Sequence, residues 1–383
     1  MDSTYTALKE KLVIDEKQLI NSGFYDWIVE RHEMYRRRVG ELAPFTPITS
    51  VNHTVPSSQR APWTDDPILQ KYKFTNPFRE NDAVTIWMRE NFRPKTEEKA
   101  TQQNNIINAA LFRMVGTIEF AEEFLEQHGW ITAHHFDPKK IKQIIQSRIG
   151  RKQKCFTGAY IVTNQGIKAP KSQVVIDNFI TPLWESMQPP RKFPLGDTVN
   201  HITGNPFTSC RALHSELSKF RGFGGGGFMA YEVVCDLLHT PTYTTPKEIL
   251  SNVRGLSGRS RGEARLINPT DYVVDRYSWA NAGPGALRGL NRIWKEDLKK
   301  RQSPKEALFK MRYLLSSKYM LHEIAHKRGY KPIAFGDVDM RCIEHSLCEF
   351  DKYMRVKENQ GRPRSICKYK VGGVYPIKRG PVE

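Results

Sequence analysis

Apolar residues recur at helical spacing along most of the chain. From residue 104 to 127, an apolar side chain returns every three or four positions, which is the period of a helix with one buried face. Residues 337–357 show the same pattern, with apolar residues four, three and four positions apart. The pattern predicts further helices over residues 24–38, 83–92, 138–148, 174–187, 208–220, 227–238 and 303–315.

Strand signals are few. Residues 159–163 and 369–377 lie beside glycine turns and predict two short β-hairpins. We therefore predict a mainly α protein with small β-hairpin elements. Residues 40–61 are rich in Pro, Ser and Thr, which is typical of a linker. The sequence predicts an N-terminal helix and linker, a helical body and a basic C-terminal tail, over 1–61, 62–383 and 362–383 respectively.

The chain is strongly basic. Of its 383 residues, 59 are Lys or Arg and 41 are Asp or Glu, which gives a formal net charge of +18. The excess is spread along the chain and exceeds what solubility requires. A broad positive potential attracts polyanions and makes their binding depend steeply on salt. We therefore expect a nucleic acid partner.

The sequence disfavours two other classes of protein. Its apolar runs are too short to cross a bilayer, and its first residues do not resemble a signal peptide. We expect a cytoplasmic protein without a membrane partner. The six cysteines form no CxxC pair, which disfavours a disulfide framework or a zinc ribbon and favours buried thiols.

The glycine run at 222–227 is the most informative local feature. A predicted helix precedes the glycine run and a second, apolar helix follows it, which is typical of a helix-hairpin-helix. Glycine lets backbone amides approach a phosphate, and the second helix adds the positive end of its dipole. The alternatives are a helix C-cap with tight packing, or a dinucleotide-binding GxGxxG, which needs a preceding strand. We predict DNA backbone contacts from Gly222, Gly224, Gly225 and Gly227.

Two short motifs limit the chemistry. His322, Glu323 and His326 form an HExxH pattern that could bind zinc on a helix, but a pattern this short also occurs by chance. We predict no metal site formed by the protein. No GxxxxGK[ST] pattern occurs in the 383 residues, so we do not expect the phosphate-binding loop of ATPases.

Two segments combine charge with a constrained backbone. Asp275 precedes a Gly-Pro-Gly turn at 283–285, which begins a helix that carries Arg288. Such a helix start with an arginine can hold a phosphate or an oxyanion. Residues 344–353 carry many ionisable groups beside an apolar stripe, and these could shift one another's pKa values. The alternatives are an ordinary helix N-terminus for the first segment and a solvent-exposed helix face for the second.

Four segments in order, 62–82, 222–236, 279–291 and 344–355, resemble a family linked to hypermodified thymine in phage DNA. These are the amino acid:DNA transferases, also known as alpha-glutamyl/putrescinyl thymine pyrophosphorylases. The helical domain of 5-hydroxymethyluracil DNA kinases is similar. The resemblance spans about residues 20–370. A kinase of this family should carry a phosphate-binding loop, so its absence from this sequence favours the transferase branch.

The resemblance implies a helical fold related to helix-hairpin-helix DNA glycosylases. It also implies that an amino acid or a polyamine replaces pyrophosphate on 5-(pyrophosphoryloxymethyl)uracil in double-stranded DNA, in the host cytoplasm if the protein is phage-encoded. The modified base must leave the duplex before an active site can surround it. We predict that aromatic residues stack on this base or wedge behind it, namely Trp63, Tyr72 and Phe74.

This reaction needs cationic groups for the leaving pyrophosphate and a base that accepts a proton from the amine. We predict the first role for Arg79, Arg288, Asn291, Lys352 and Arg355. For the base we predict Asp275 first and then Asp236, supported by Glu344 and His345. No cofactor is predicted apart from Mg²⁺, which could accompany the pyrophosphate.

Two alternatives stay open. A DNA glycosylase acting on a 5-modified uracil would have a similar fold and would use one Asp to stabilise an oxocarbenium ion at the sugar. A catalytically inactive module that binds the modified base in DNA would bind selectively and form no product.

Overall fold

Helices form the regular secondary structure in the described part of the chain. This computed structural model describes residues 12–39, 61–88, 91, 102–157, 162–188, 209–238, 275–333, 338–361, 363, 366 and 367. Within these ranges there is no β-strand, and two isolated bridges join Tyr72 to Ile366 and Thr132 to His135. The prediction of a mainly α protein is confirmed.

The predicted hairpins, linker and tail fall mostly outside the described residues. Of the strand predicted over 159–163, only 162 and 163 are described, and they form no strand. The hairpin over 369–377 lies outside the described residues, as does the linker up to residue 60. Of the tail over 362–383, residues 363, 366 and 367 are described.

The helices follow one another along the chain. In order they are α1 (Glu16–Asn21), α2 (Phe24–Val39), α3 (Pro67–Lys71), α4 (Ala83–Trp87), α5 (Gln102–Val115), α6 (Ile118–Gln127), α7 (Pro138–Gly150), α8 (Lys171–Gln173), α9 (Thr181–Ser186), α10 (Cys210–Leu217), α11 (Phe228–Leu237), α12 (Pro284–Ile293), α13 (Pro304–Ser316), α14 (Tyr319–Lys327) and α15 (Met340–Lys357). A 3₁₀ turn (Arg79–Asn81) precedes α4, and a π-helical segment (Val174–Ile180) joins α8 to α9.

Packing divides the chain into two compact units. The terminal unit combines Met1–Ile86 with Ala282–Glu383, and the central unit is Trp87–Asn281. The sequence predicts a boundary after residue 61, whereas residues 62–86 pack in the same unit as α2. The reason is that α3 and α2 both contact α15, so the first and last parts of the chain share one core.

Helix α15 lies at the centre of the terminal unit. It packs against α12 and also contacts α13, α2 and α3. Asp339 caps its first turn by accepting a hydrogen bond of 3.0 Å from the Cys342 amide. The apolar stripe predicted from the sequence is buried, and the Phe350 ring meets Phe24 edge-on at 5.5 Å. The position of α15 in the core therefore follows from its sequence periodicity.

Helices α12 and α15 approach each other unusually closely, and glycine makes this possible. A Cβ atom placed on Gly289 would collide with the carbonyl oxygen of Leu347. A Cβ atom on Gly285 would lie 2.5 Å from the Cys348 Sγ atom. Because a backbone carbonyl cannot move without disturbing its helix, the position of Gly289 has no room for a side chain.

The central unit has its own apolar core, in which α11 packs against α5 and α10. An ion pair lies between two of these helices, where Arg113 of α5 donates to both carboxylate oxygens of Asp236 in α11. Asp236 is fully buried, and Glu232 lies 3.5 Å from the same guanidinium. Removing one partner of such a pair leaves an uncompensated charge, so the pair ties α5 firmly to α11.

The helix predicted over 104–127 is interrupted. It forms two helices, α5 and α6, which are separated by Gly116 and Thr117. Gly116 has a φ of 75°, which a right-handed helix does not allow, and the Thr117 hydroxyl accepts from the Phe120 amide at the start of α6. The apolar stripe continues across the break, so periodicity alone did not reveal it.

We expect Gly289→Ala to destabilise the protein by about 1–3 kcal/mol, because the added methyl overpacks the contact with the Leu347 carbonyl. Equilibrium denaturation in urea measures this free energy of unfolding. The matched control is Gly226→Ala, where a Cβ atom would meet nothing within 4 Å. Equal stability of the two variants would contradict the packing argument.

Candidate functional site

Three of the four segments singled out in the sequence meet at α15. The Tyr353 hydroxyl donates to Asp66 at 2.6 Å, and the Thr75 amide donates to Glu349 at 2.9 Å. These two bonds join residues 62–82 to α15. The α12 part of the third segment is joined by Arg288, whose Nε donates to Asp351 at 2.9 Å. The fourth segment, 222–236, belongs to the central unit.

Asp351 is the centre of an arginine cluster. Its carboxylate is fully buried and lies 2.9 Å from the Nε atoms of Arg288 and Arg292 and 3.3 Å from the Nε of Arg355. Arg292 also pairs with Glu358 at 2.6 Å. The side chains of Arg288 and Arg355 are 36% and 40% exposed. Their terminal nitrogens form no hydrogen bond with the described part of the chain, so the cluster can receive an anion.

The sequence predicted two members of this cluster, Arg288 and Arg355. It did not predict Arg292 or Asp351 as site residues. The signal was present in the spacing, because Arg288 and Arg292 are four residues apart in α12, as are Asp351 and Arg355 in α15. Only the packing of α12 on α15 shows that the two pairs share one carboxylate.

Other residues predicted to bind pyrophosphate have structural contacts. Arg79 is buried. Asn291 is also buried, and its amide nitrogen donates to the carbonyl oxygens of Asp297 and Lys300, which fixes the loop after α12. Lys352 pairs with Glu349 at 2.6 Å and lies 4.8 Å from the centre of the Phe74 ring. Both Arg79 and Asn291 are buried, and a role in pyrophosphate binding stays a prediction for them.

The predicted base-stacking residues are also interior. Trp63 is 1% exposed, and Tyr72 and Phe74 are buried as well. The Arg38 guanidinium lies 5.7 Å from the Trp63 ring, and the Phe74 ring meets Trp27 edge-on at 6.2 Å. Exposing large aromatic surfaces to water is unfavourable, and here these rings pack in the core of the terminal unit. In this structure they offer no ring face to a flipped base.

The predicted catalytic residues are divided between the two units. Asp275, in the central unit, accepts hydrogen bonds from the Ser209 hydroxyl and from the Cys210 and Arg211 amides at 2.8 to 2.9 Å. It therefore caps the start of α10. Asp236 forms the buried pair with Arg113 described above.

Glu344 and His345 lie in the first turns of α15, in the terminal unit. Glu344 is buried and accepts a bond of 3.4 Å from the Gly283 amide. A role in catalysis stays a prediction for all four of these residues.

The glycine turn connects α10 to α11, at the place that the sequence predicted. Gly222 and Gly227 have φ angles of 89° and 67°, and a Cβ atom on Gly222 would lie 2.5 Å from the Phe179 ring. A Cβ atom on Gly224 would lie 2.9 Å from the Ser218 carbonyl oxygen. These three glycines are required by packing, as the C-cap alternative proposed. A Cβ atom on Gly225, in contrast, would meet nothing within 4 Å, so this residue is open to a ligand.

Two exposed aromatic residues lie near this region: Phe228 directly follows the turn, and Tyr277 belongs to the segment 275–281, which contacts the turn through Asn281. Phe228, the first residue of α11, is 48% exposed, and Tyr277 is 41% exposed. The Arg276 guanidinium lies 5.2 Å from the Tyr277 ring, and the Asn281 side chain donates to the Gly226 carbonyl at 3.0 Å. The sequence analysis did not predict either aromatic residue, although Phe228 directly follows the glycine run.

The terminal unit also contains a cleft of about 580 Å³. Its walls come from α2, from residues 65–69, from residues 328 and 330, and from α15. Residues of two predicted segments, 62–82 and 344–355, therefore form part of one cavity.

Comparison with known proteins identifies the family. The family model described as "5-hmdU DNA kinase, helical domain" matches residues 18–251 and 266–362, which is most of the chain. The chain belongs to this family. A 5-hmdU DNA kinase of Bacillus phage SP10 is 24% identical over 345 residues, which cover 85% of this chain and 43% of the phage protein. The chain thus spans less than half the length of this relative. No solved structure matches the chain.

The family assignment confirms the predicted relation to the helical domain of 5-hydroxymethyluracil DNA kinases. In the ranges described for this family member, no group of three or more His, Cys, Asp or Glu residues could hold a metal ion. None of the described helices is long and apolar enough to cross a membrane. The helix-hairpin-helix geometry of the α10–α11 pair stays a prediction.

Asp82, at the end of the segment 62–82, lies in an environment that disfavours its charge. Burial raises the pKa of Asp82 from 3.8 to about 6, although its carboxylate accepts a bond of 3.1 Å from the Asn76 amide. The ionised form is therefore less favourable in the folded protein than in the unfolded chain. The stability contributed by the neutral form is present below pH 3.8 and is lost as the pH rises through 6.

We expect Asp82→Asn to be more stable than the parent protein by about 1–3 kcal/mol at pH 8, because asparagine keeps the acceptor and carries no charge. At pH 4 the two proteins should be equally stable within about 0.5 kcal/mol, since the parent carboxyl is then largely neutral. Urea denaturation at both values measures the difference. A difference in the free energy of unfolding between the two proteins that does not increase with pH would contradict this account.

Proposed function

We propose that this protein takes part in hypermodification of thymine in phage DNA, as a transferase. It would transfer an amine to 5-(pyrophosphoryloxymethyl)uracil in DNA and release pyrophosphate. The observation that carries the proposal is the cluster of Arg288, Arg292 and Arg355 around Asp351, because three guanidiniums around one carboxylate leave positive charge for an anionic leaving group. Family membership relates the chain to 5-hmdU DNA kinases.

The residues of this helical domain themselves support a transfer step. A kinase has to hold the phosphates of ATP, and enzymes with a phosphate-binding loop do so with GxxxxGK[ST]. That pattern does not occur in this sequence. The phage kinase is more than twice as long as the part that this chain matches, and the matching family is defined as its helical domain. A helical domain with its own anion site fits a step that consumes the phosphorylated base.

The proposed step exchanges one bond for another. The bond between the exocyclic carbon and the pyrophosphate oxygen breaks, and its electron pair leaves with the oxygen. The uracil ring stabilises the resulting allylic-type cation, and the neutral amine nitrogen forms the new C–N bond. The proton released from nitrogen passes to a base. The exposed terminal nitrogens of Arg288 and Arg355 would neutralise the departing pyrophosphate, with Mg²⁺ as an accompanying ion.

Among the predicted bases, Glu344 is the one that the structure joins to the start of the helix carrying Arg288. Asp275 uses both carboxylate oxygens to cap α10, and Asp236 is held by Arg113, so proton transfer would disturb the fold at either position. Glu344 instead accepts a bond of 3.4 Å from Gly283, at the start of the helix that carries Arg288. We infer that Glu344 accepts the proton and that His345 supports it.

The DNA would be held by the central unit. The amide of Gly225 and the start of α11 can face a phosphate, and the excess of Lys and Arg attracts the polyanion. Exposed aromatic rings next to such a turn can stack on an unpaired base. We assign this role to Phe228 and Tyr277, in place of the buried Trp63, Tyr72 and Phe74.

A second candidate function is a modified-base DNA-binding module without catalysis. It is favoured by the finding that Asp275 and Asp236 have structural hydrogen bonds. The two functions differ in their products: a transferase forms an aminated nucleoside, whereas a binding module leaves the base unchanged.

We expect the protein to convert DNA that contains 5-(pyrophosphoryloxymethyl)uracil into an aminated nucleoside when amino acids and polyamines are supplied. Mass spectrometry of the digested DNA measures this product.

Arg288→Gln should lower the rate of product formation by about 100-fold, because one cation at the leaving group is lost. Arg301→Gln, which removes an exposed arginine of the same unit, is the matched control. If the base stays unchanged with every amine donor, the result would contradict the transferase proposal and favour the binding module.

We expect Phe228→Ala to weaken binding of DNA with a flipped or mismatched base by about 5- to 100-fold, since one stacking contact is lost. Fluorescence anisotropy at fixed salt measures the affinity. Tyr319→Ala removes a ring that is 41% exposed in the terminal unit and should leave the affinity unchanged. Equal affinities for both variants and the parent would exclude Phe228 from the interface.

A further inference from the structure

Four consecutive glycines, residues 224–227, lie between α10 and α11. Glycine loses more backbone freedom on ordering than any other residue, so an unsupported turn of this composition would bind a ligand weakly. Gly225 and Gly226 are exposed, and their amides donate to no acceptor within the described residues. These amides are available to an anion, provided that the turn keeps one conformation.

The segment 275–281 contacts both ends of α10. At its beginning, the Asp275 carboxylate accepts from two backbone amides in the first turn of α10, at 2.8 and 2.9 Å. At its end, the Asn281 side chain donates to the Gly226 carbonyl at 3.0 Å, in the turn that follows α10. A helix of eight residues is about 12 Å long, so the segment extends along the whole of α10.

Trp279, in the middle of this segment, packs against both helices. Its ring lies 5.2 Å from the His214 ring of α10 and meets the Tyr231 ring of α11 edge-on at 5.8 Å. The Ser278 and Trp279 amides both donate to the Asp275 carbonyl, at 3.0 and 2.9 Å, so the first part of the segment is itself a turn. The segment is therefore fixed at its beginning, middle and end.

His214 contacts the glycine turn from the side of α10. Its Nε2 atom donates to the Gly227 carbonyl at 3.1 Å. Burial lowers the pKa of His214, so the ring is neutral at neutral pH and this nitrogen carries its one hydrogen. A Cβ atom on Gly227 would collide with the same nitrogen, so the imidazole lies directly against the turn.

Two successive carbonyls of the turn are thus held by side chains. Because each carbonyl is coplanar with the next amide, the bonds to Gly226 and Gly227 fix the two peptide planes that lead from the exposed glycines into α11. A loop that is already fixed in its bound conformation binds more tightly, since less conformational entropy is lost on binding. The exposed Arg221, just before the turn, adds positive charge, which favours a phosphodiester over a neutral ligand.

We propose that the segment 275–281 and His214 hold the glycine turn in the conformation that binds a DNA phosphate, and that Asn281 and His214 are positioning residues for this contact. The proposal rests on the proposed function, in which the central unit holds the DNA. Asp275 then serves as the anchor of the segment on α10.

Fluorescence anisotropy of the full chain with a labelled DNA duplex at fixed salt tests these roles. Asn281→Ala and His214→Leu should each weaken binding by about tenfold, because the turn must then be ordered when the DNA binds. Gln188→Ala is the matched control, since it also removes a side-chain amide that donates to a backbone carbonyl of the central unit. Parent-like affinity in both Asn281→Ala and His214→Leu would overturn the proposal.

His214→Gln separates the hydrogen bond from the packing of the ring. A glutamine amide can donate to the Gly227 carbonyl, whereas leucine cannot. We therefore expect His214→Gln to bind DNA nearly as well as the parent protein. Equal losses of affinity in His214→Gln and His214→Leu would refute the positioning role of His214.

NMR spectra of the protein labelled with ¹⁵N-glycine test the same contact without DNA. Asn281→Ala should shift the amide resonances of Gly225 and Gly226 and speed their exchange with solvent, whereas Gln188→Ala should leave them unchanged. Unchanged resonances in Asn281→Ala would show that the segment does not position the turn.

The two experiments fail separately. If the parent protein binds no DNA although the glycine resonances shift in Asn281→Ala, the assignment of DNA to the central unit is wrong. If the parent protein binds DNA and neither the affinity nor the resonances change in Asn281→Ala, the DNA assignment stands and the positioning role is refuted.

Discussion

The close contact between α12 and α15 is the constraint on which the terminal unit depends. Two helices approach this closely only where one lacks side chains, and Gly285 and Gly289 meet that condition. The approach brings two arginines of α12 to the carboxylate of Asp351, which is fully buried. A buried carboxylate requires cationic partners, and three guanidiniums around it leave positive charge in excess. Helix packing and the capacity to hold an anion therefore have the same origin.

Helix α15 joins this cluster to the cleft. Asp351 and Arg355 are one helical turn apart, and both belong to the arginine cluster. Tyr353 and Lys357 are also one turn apart, and both line the cleft. The helix thus presents the arginine cluster on one side and the cleft on another. Both depend on the burial of its apolar stripe, because that burial fixes the rotation of the helix about its axis.

The buried fraction of each side chain distinguishes residues that stabilise the fold from residues that are accessible at the surface. Trp63 and Asn291 occur in distinctive segments, but the first packs the core and the second fixes a loop through backbone carbonyls. In the central unit, Asp275 caps α10 in the same structural sense. Distinctive residue types therefore marked segments that meet at α15, whereas the tertiary packing decided how exposed each residue is.

The sequence by itself determined the helical class and most helix bounds, because periodicity and capping residues act over a few positions of the chain. The family relation came from the resemblance carried by four separated segments. The sequence also marked Arg288 and Arg355 as candidate anion-binding residues. Only the tertiary structure brought Arg292 and Asp351 to them, broke the helix at Gly116, buried Trp63 and formed the cleft. These features arise from contacts between residues far apart in the chain, such as Asp66 with Tyr353, and local patterns carry no information about which distant faces will meet.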